Sequence, residues 1–335
     1  MKTALKKKIF CFGELLLRLS PALGGEWISQ SSMPVFIGGA ELNVARALAR
    51  WGMPAKYVTA LPGHYLSKEI TDHLQSNEID VSSVLLTGDR IGTYYLPQGK
   101  DLKSEGVIYD RAGSAFAGLK TGMVNWEEAL KDCNWFHFSA ISPALNENVA
   151  AVCKEGLAYA SSMGLTISVD LNYRSLLWQY EQPFKIMNEL VPYCTVVMGN
   201  VWSAESLLQI KAPVKTSEGT TNPQLINAAR QSMLWLQQQY PTASCIAYTF
   251  RLQHEYFAVL QNGHEQVISK IIPVADVKDK AGSGDCFMAG LIYGLQNNHS
   301  SQQIVDYAAT AAVGKLQERG DATSQTVEEI NSKLV

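Results

Sequence analysis

Seven consecutive residues near the end of the chain, Asp279-Lys280-Ala281-Gly282-Ser283-Gly284-Asp285, combine two glycines, a hydroxyl and two carboxylates. Glycines on either side of one small residue let successive backbone N–H groups converge on one point, a cradle for phosphate or a developing oxyanion. Phe287, Gly290, Leu291 and Gly294 follow at helical spacing, and a strand-like run ending in Ile271-Ile272-Pro273-Val274 comes before. The glycines therefore sit where a loop turns into a helix, whose N-terminus adds partial positive charge. Asp285 opens that helix. Its carboxylate either caps the helix or acts as a general base beside a bound anion, and local sequence alone favours the cap.

Competing chemistries lack their patterns. No GxxxxGK[ST] stretch occurs, and Phe287 holds the position where a dinucleotide fingerprint needs its third glycine. A GxSxG elbow, an HExxH pair and an EF-hand loop are also absent from the sequence. An anion cradle with a carboxylate remains, and it suits phosphoryl transfer to a hydroxyl. Asp285 would accept the proton and the amides of 282–284 would hold the transferred charge.

These residues need a rigid frame. Hydrophobic residues make up 47% of the 335 and charged residues 18%, enough for a large buried core. A net charge of −3 argues against nucleic-acid binding by bulk charge. Six scattered cysteines with no CxxC pair argue against a zinc site or disulfide framework and for a reducing cytosol. Lys6-Lys7-Lys8 before Ile9-Phe10-Cys11-Phe12 resembles the start of a signal peptide, but Gly13 and Glu14 break the apolar run too early. No run spans a bilayer, so a soluble cytoplasmic protein is expected.

In chain order, residues 8–13 read as a central strand. Residues 15–35 are broken by Pro21, Gly24-Gly25 and Pro34, and Gly38-Gly39 enters a helix marked by Val44, Ala47, Leu48 and Trp51. Asn43 lies in its first turn, placed equally well for a ligand or for solvent. A strand at 57–60 and a helix at 66–77 follow, then a hairpin-like pair of β-prone runs within 88–112. Strands at 135–141, 165–170, 194–199 and 244–250 alternate with helices near 146–162, 184–190 and 222–239. That alternation predicts βαβ units and a mainly parallel sheet covered on both faces. A last helix at 302–316, rich in alanine, is expected to pack on the Gly290/Gly294 face. Polar residues gather at strand ends, where parallel α/β sheets bind ligands: 170–174, 199–200, 249–251 and 279–285.

At this point the chain resembles the ribokinase-like (PfkB-type) sugar kinases. The resemblance rests on Gly38-Gly39-Ala40-Glu41-Leu42-Asn43-Val44-Ala45 and the 279–285 stretch, in the expected order, and covers nearly the whole chain. It implies one α/β domain over 1–335, a three-layer sandwich with a mainly parallel sheet and a small β lid from about 15–35 and 88–112. It also implies ATP with Mg²⁺, and in some members a monovalent cation. Asp285 would be the catalytic base, with Gly282, Ser283 and Gly284 as the anion hole and Gly38, Gly39 and Asn43 on the sugar surface. Asn200, Thr249, Arg251 and Asp279, with Gly282 and Gly284, would meet the nucleotide.

Within that family the chain looks most like the 2-keto-3-deoxygluconate kinases. The matching pieces are Tyr109-Asp110-Arg111-Ala112-Gly113-Ser114-Ala115, Ile141-Ser142-Pro143-Ala144-Leu145 and Asp170-Leu171-Asn172-Tyr173-Arg174. A sugar acid needs a cation for its carboxylate, and Arg111 and Arg174 can supply charge-assisted contacts; otherwise they are ordinary ion-paired or surface arginines. The same mapping puts Tyr95, Tyr109, Ile141 and Asp170 in the substrate pocket.

Three departures stand out. Leu15-Leu16-Leu17-Arg18 offers no acid past Glu14, which weakens a ribose or fructose reading. The family's N-x-x-E pattern would begin at Asn200 but reaches Ser203, with Glu205 out of register. The usual glycine turn after the 244–249 strand reads Phe250-Arg251-Leu252, and Lys280 replaces a common threonine, so Arg251 and Lys280 are either phosphate contacts or solvated cations. The expected activity is phosphorylation of 2-keto-3-deoxygluconate or a close sugar acid. A fructokinase- or ribokinase-like enzyme and a non-catalytic sugar- or nucleotide-binding regulator are the alternatives, with a dehydrogenase a distant third. A homodimer through the lid is implied by the resemblance alone.

Overall fold

The computed structural model describes residues 7–99, 106–178 and 182–334. Its strands, in chain order, are β1 (Lys8–Phe12), β2 (Leu16–Leu19), β3 (Val35–Gly38), β4 (Ala55–Val58), β5 (Ala60–Leu61), β6 (Ile79–Asp80), β7 (Leu85–Leu86), β8 (Gly92–Tyr95) and β9 (Ile108–Asp110). They continue with β10 (Cys133–Ser139), β11 (Thr166–Asp170), β12 (Val196–Gly199), β13 (Cys245–Arg251), β14 (Glu255–Asn262), β15 (Glu265–Ile268) and β16 (Ile272–Pro273). The helices are α1 (Glu26–Ser29), α2 (Ala40–Arg50), α3 (Tyr65–Ser76), α4 (Trp126–Leu130), α5 (Glu147–Ser162), α6 (Pro183–Leu190), α7 (Val201–Leu208), α8 (Asn222–Gln239), α9 (Ser283–Gln296), α10 (Ser301–Leu316) and α11 (Val327–Asn331).

The main sheet runs β15-β14-β13-β12-β11-β10-β1-β4-β6, with β16 beside β14. Pairing is parallel from β6 to β13 and antiparallel beyond it. The antiparallel edge was not foreseen: the sequence up to Val274 read simply as strand-like. β10 to β12 are apolar runs buried almost throughout, as strands covered on both faces must be. One apolar core lies between the sheet and α4–α8, the other between the sheet and α2, α3, α9, α10 and α11. This is the three-layer arrangement expected. α9 and α10 pack closely, with Gly290 against Ala308 and Gly294 against Ile304.

A second, four-stranded sheet, β3-β2-β8-β9, forms the lid. Its polar turn was expected near residues 100–105, which lie outside the described residues. Register puts Arg18 of β2 beside Phe36 of β3 and Tyr94 of β8, all on one face. Leu16, Tyr94, Leu96 and Val107 give the lid its own small core.

Candidate active site

The carboxyl ends of β10–β13 and the inner face of the lid enclose one cavity of about 860 Å³. Two glycines set its polar rim. Gly282 is the residue before α9, held at φ 78°, and a side chain there would strike the Asp321 carbonyl, so only glycine fits. Gly39 does the same before α2, at φ 135° and against the Glu14 carbonyl.

Asp285 falls inside the first turn of α9, and no side chain caps that helix. The capping role that local sequence favoured is therefore absent. Asp285 lines the cavity instead, 8% exposed, and accepts a hydrogen bond from Asn43 Nδ2 at 2.7 Å. Burial raises its pKa to about 8; the charges of Asp170 and Glu41 push the same way, against the Asn43 bond and the Arg174 charge. Asn43 is buried too, and its Oδ1 has no hydrogen-bond partner. Both halves of this pair thus present acceptors at one spot.

Glu41, two residues earlier on α2, is fully engaged at one oxygen: Oε1 accepts from Ser139 N at 2.9 Å, Ser139 Oγ at 2.6 Å and Ser142 Oγ at 3.2 Å. Burial raises its pKa against those bonds. It fixes the start of α2 to the end of β10. Asp170 lies in the cavity wall at the end of β11, where its Oδ1 accepts from Asn172 N at 3.0 Å.

The two arginines separate. Arg111 reaches the cavity wall, but its Nε donates to Glu14 Oε2 at 2.7 Å and its Nη2 donates to the same oxygen. Ser114 Oγ donates to the other Glu14 oxygen. Arg111 is thus charge-paired rather than open, and Glu14 itself supplies an acid in the cavity. Arg174, half-buried in the same wall, has no side-chain hydrogen bond or ion pair among the described residues. Ile141 and Tyr109 also line the cavity, Tyr109 beside Tyr94 at 6.3 Å between rings.

Gly282, Ser283 and Gly284 share the wall with Asn200, Thr249 and Arg251 at the other end. Asn200 caps α7, its Oδ1 accepting from Trp202 N and Ser203 N, while Ser203 Oγ accepts from Asn200 N at 2.9 Å. Ser203 thus closes a capping box where a glutamate was expected. Glu205 turns to Ala212 N. Arg251 Nη1 donates to Lys280 O at 3.4 Å, and Lys280 lines the cavity.

Three expected site residues stand outside the wall. Tyr95 sits one residue off, because strand alternation sends Tyr94 inward. Gly38 lies on β3, where a side chain would meet the Asp321 carboxylate. Asp279 is turned to Arg18, Ala281 N and Gly320 N. Conversely, Lys215, Thr216, Ser217 and Asp321 line the cavity without having been anticipated. They lie in irregular segments after α7 and after α10, which carry no periodic signal.

Residues 6–328 match the pfkB family of carbohydrate kinases. The chain belongs to that family. It is 26% identical over 332 residues to a 2-dehydro-3-deoxygalactonokinase of Haloferax volcanii, covering 98% of this chain and 96% of that one. The solved 2-dehydro-3-deoxygluconokinase of Thermotoga maritima is 31% identical, with a TM-score of 0.87 over 98% of this chain and 99% of that one. A 5-dehydro-2-deoxygluconokinase of Geobacillus thermodenitrificans is 25% identical over 281 residues, 83% of this chain and 77% of that one. The dehydrogenase alternative falls, since carbohydrate kinases transfer a phosphoryl group and not a hydride. No helix among the described residues is long and apolar enough to cross a membrane.

Proposed function

We propose that this pfkB-family carbohydrate kinase transfers the γ-phosphoryl group of ATP to a hydroxyl of 2-keto-3-deoxygluconate or a closely similar sugar acid. Arg174 supports this reading: a half-buried guanidinium with no side-chain hydrogen bond or ion pair among the described residues, lining the same cavity as Asp285, suits a ligand carboxylate. The substrate hydroxyl gives its proton to Asp285 and its oxygen attacks the γ-phosphorus. The bond to the β–γ bridging oxygen breaks, and ADP leaves with that electron pair. The amides of Gly282, Ser283 and Gly284, at the positive end of α9, hold the charge on the transferred group. The acceptor at Asn43 Oδ1 would orient a second sugar hydroxyl, and Tyr109 and Ile141 would flank the sugar.

ATP would lie along Asn200, Thr249 and Arg251. Mg²⁺ would ride on its phosphates and neutralise them during transfer. The residues present fit that role loosely: Asn200, Ser203 and Asp170 offer neutral or single-carboxylate contacts, and Mg²⁺ commonly keeps several waters. No cluster of three metal-binding side chains occurs among the described residues. Exposed Leu23, Ile28, Val35 and Ile108 on the lid support a dimer through that sheet. The six thiols, all buried and unpaired, fit a reducing cytoplasm.

Glu14 favours the second reading, a neutral sugar, because its carboxylate can accept sugar hydroxyls if Arg111 turns aside. ATP consumption with 2-keto-3-deoxygluconate, 2-keto-3-deoxygalactonate, gluconate, fructose and ribose separates the two. The acids should be turned over with at least tenfold higher kcat/KM. Robust fructose or ribose turnover with none on any acid would sink the sugar-acid assignment.

A further inference from the structure

Arg18 comes from the lid, yet its charge serves the opposite side of the cavity. It is 2% exposed on β2, with its guanidinium over the Phe36 ring at 4.3 Å. Its Nη2 meets Asp279 Oδ2 at 2.6 Å and its Nε meets Asp321 Oδ1 at 2.6 Å. Tyr94, next to Arg18 in the lid sheet, donates from its hydroxyl to Asp321 Oδ2 at 3.0 Å.

Both residues support the cradle, Asp279 through its carboxylate and Asp321 through its backbone. Asp279 begins the loop, its Oδ1 accepting from Ala281 N at 3.1 Å and its Oδ2 from Gly320 N at 3.1 Å. The Asp321 backbone carbonyl packs directly under Gly282. Lys315, 0% exposed at the end of α10, brings a second cation beside Gly282 and donates to Glu318 O at 3.4 Å. The carboxylates of half-buried Asp279 and buried Asp321 therefore offset the buried cations of Arg18 and Lys315 behind the cradle.

That arrangement disagrees with one implication of the family resemblance. A monovalent cation beside the cradle loop would compete with Arg18 for these carboxylates. Arg18 already pairs with both, through a hydrogen bond to Asp279 and a 2.6 Å ion-pair contact with Asp321, and a guanidinium held between two carboxylates is not an exchangeable ion.

We propose that Arg18 is a positioning residue that takes the place of a monovalent cation, locking the lid to the Gly282–Gly284 cradle through Asp279 and Asp321. The kinase then needs no added monovalent cation, and lid position and phosphate geometry are set together. The inference rests on the kinase activity and not on which sugar is phosphorylated.

The test combines turnover with a readout that needs no substrate. Wild-type rates are measured in potassium, sodium and choline chloride at equal ionic strength and should agree within twofold. Arg18→Ala should lose about 100-fold in kcat, the cost of a small misplacement of reacting groups, with the sugar KM changed less than threefold. Guanidinium chloride at millimolar concentration should restore at least tenfold of that loss and leave the wild type unchanged. Arg18→Lys, which keeps the charge but cannot fork to both acids, should fall between the two. Hydrogen exchange should rise in Arg18→Ala at 279–285 and 316–322, whatever sugar is used. Severalfold potassium activation of the wild type would overturn the proposal, as would full kcat in a folded Arg18→Ala. If Arg18→Ala does not fold, Arg18→Lys with unaltered kcat and unaltered exchange at 279–285 would overturn it too.

Discussion

Asn43 and Asp285 lie 242 residues apart in sequence, yet the Asn43 amide donates to the Asp285 carboxylate at 2.7 Å. The bond joins the first turns of α2 and α9, the two helices that enter the cavity after a glycine of positive φ. Neither residue has a function alone that its neighbours in sequence reveal. Together they bring an unpartnered amide oxygen and a buried carboxylate to one hydroxyl-sized spot.

Removing the carboxylate tests that spot. Asp285→Asn should lower kcat by about 10²–10⁴-fold, the usual contribution of a general base, with ligand affinities little changed. Its melting temperature at pH 7 should rise, because the variant removes a buried carboxyl that must take up a proton on folding at that pH. Turnover within threefold of wild type would take Asp285 out of the mechanism.

The pH profile follows from the same burial. With Asp285, whose pKa is raised to about 8, as the proposed base, kcat/KM should climb from pH 6 and level off above about 8. Asn43→Leu deletes a bond that favours the ionised form, so its limb should move to higher pH. A limb below pH 6 in the wild type would mean that another group titrates.

Arg174 tests the substrate. A charge-assisted contact of this kind contributes about 1.5–3 kcal/mol. Arg174→Ala should therefore raise the KM for the sugar acid about 10–100-fold while leaving the KM for ATP alone, and Arg174→Lys should recover part of it. Equal loss toward acid and neutral sugars would show that the guanidinium shapes the pocket without reading the carboxylate.

Much of the frame was legible because it rests on period and punctuation. The helix at 222–239 and the strands at 166–170 and 245–251 coincide closely with their apolar patterns. Cavity-lining residues on element ends were legible too, Asp285 and Asn43 above all, since paired motifs mark them. What escaped depends on contacts distant in sequence. Tyr94 rather than Tyr95 faces the cavity because β2 beside it buries Arg18 and Leu16, and nothing near Tyr95 encodes that choice. Asp321 sits in an irregular loop and acquires its role only from Arg18, Tyr94 and Gly282. Arg111 looked like a ligand cation because its partner, Glu14, lies 97 residues earlier.

Acid stability should expose two buried groups working against each other. His137 on β10 is buried, its Nδ1 at 3.0 Å from Ser168 Oγ, which accepts from Trp135 Nε1 at 2.8 Å. Burial lowers its pKa to about 3, so the folded state takes up this proton less readily than the unfolded one. The stability it contributes is present above about pH 6.5 and is lost as pH falls toward 3, by about 1.4 kcal/mol per pH unit. Asp285 has the opposite sign: its pKa is raised, so its contribution is complete below about pH 4 and is lost as pH rises toward 8. Between pH 4 and 6.5 the two slopes cancel. Chemical denaturation across that window should give a His137→Gln variant whose stability rises on acidification, and an Asp285→Asn variant whose stability falls. Parallel curves for both variants and the wild type would mean that neither group's proton is linked to folding.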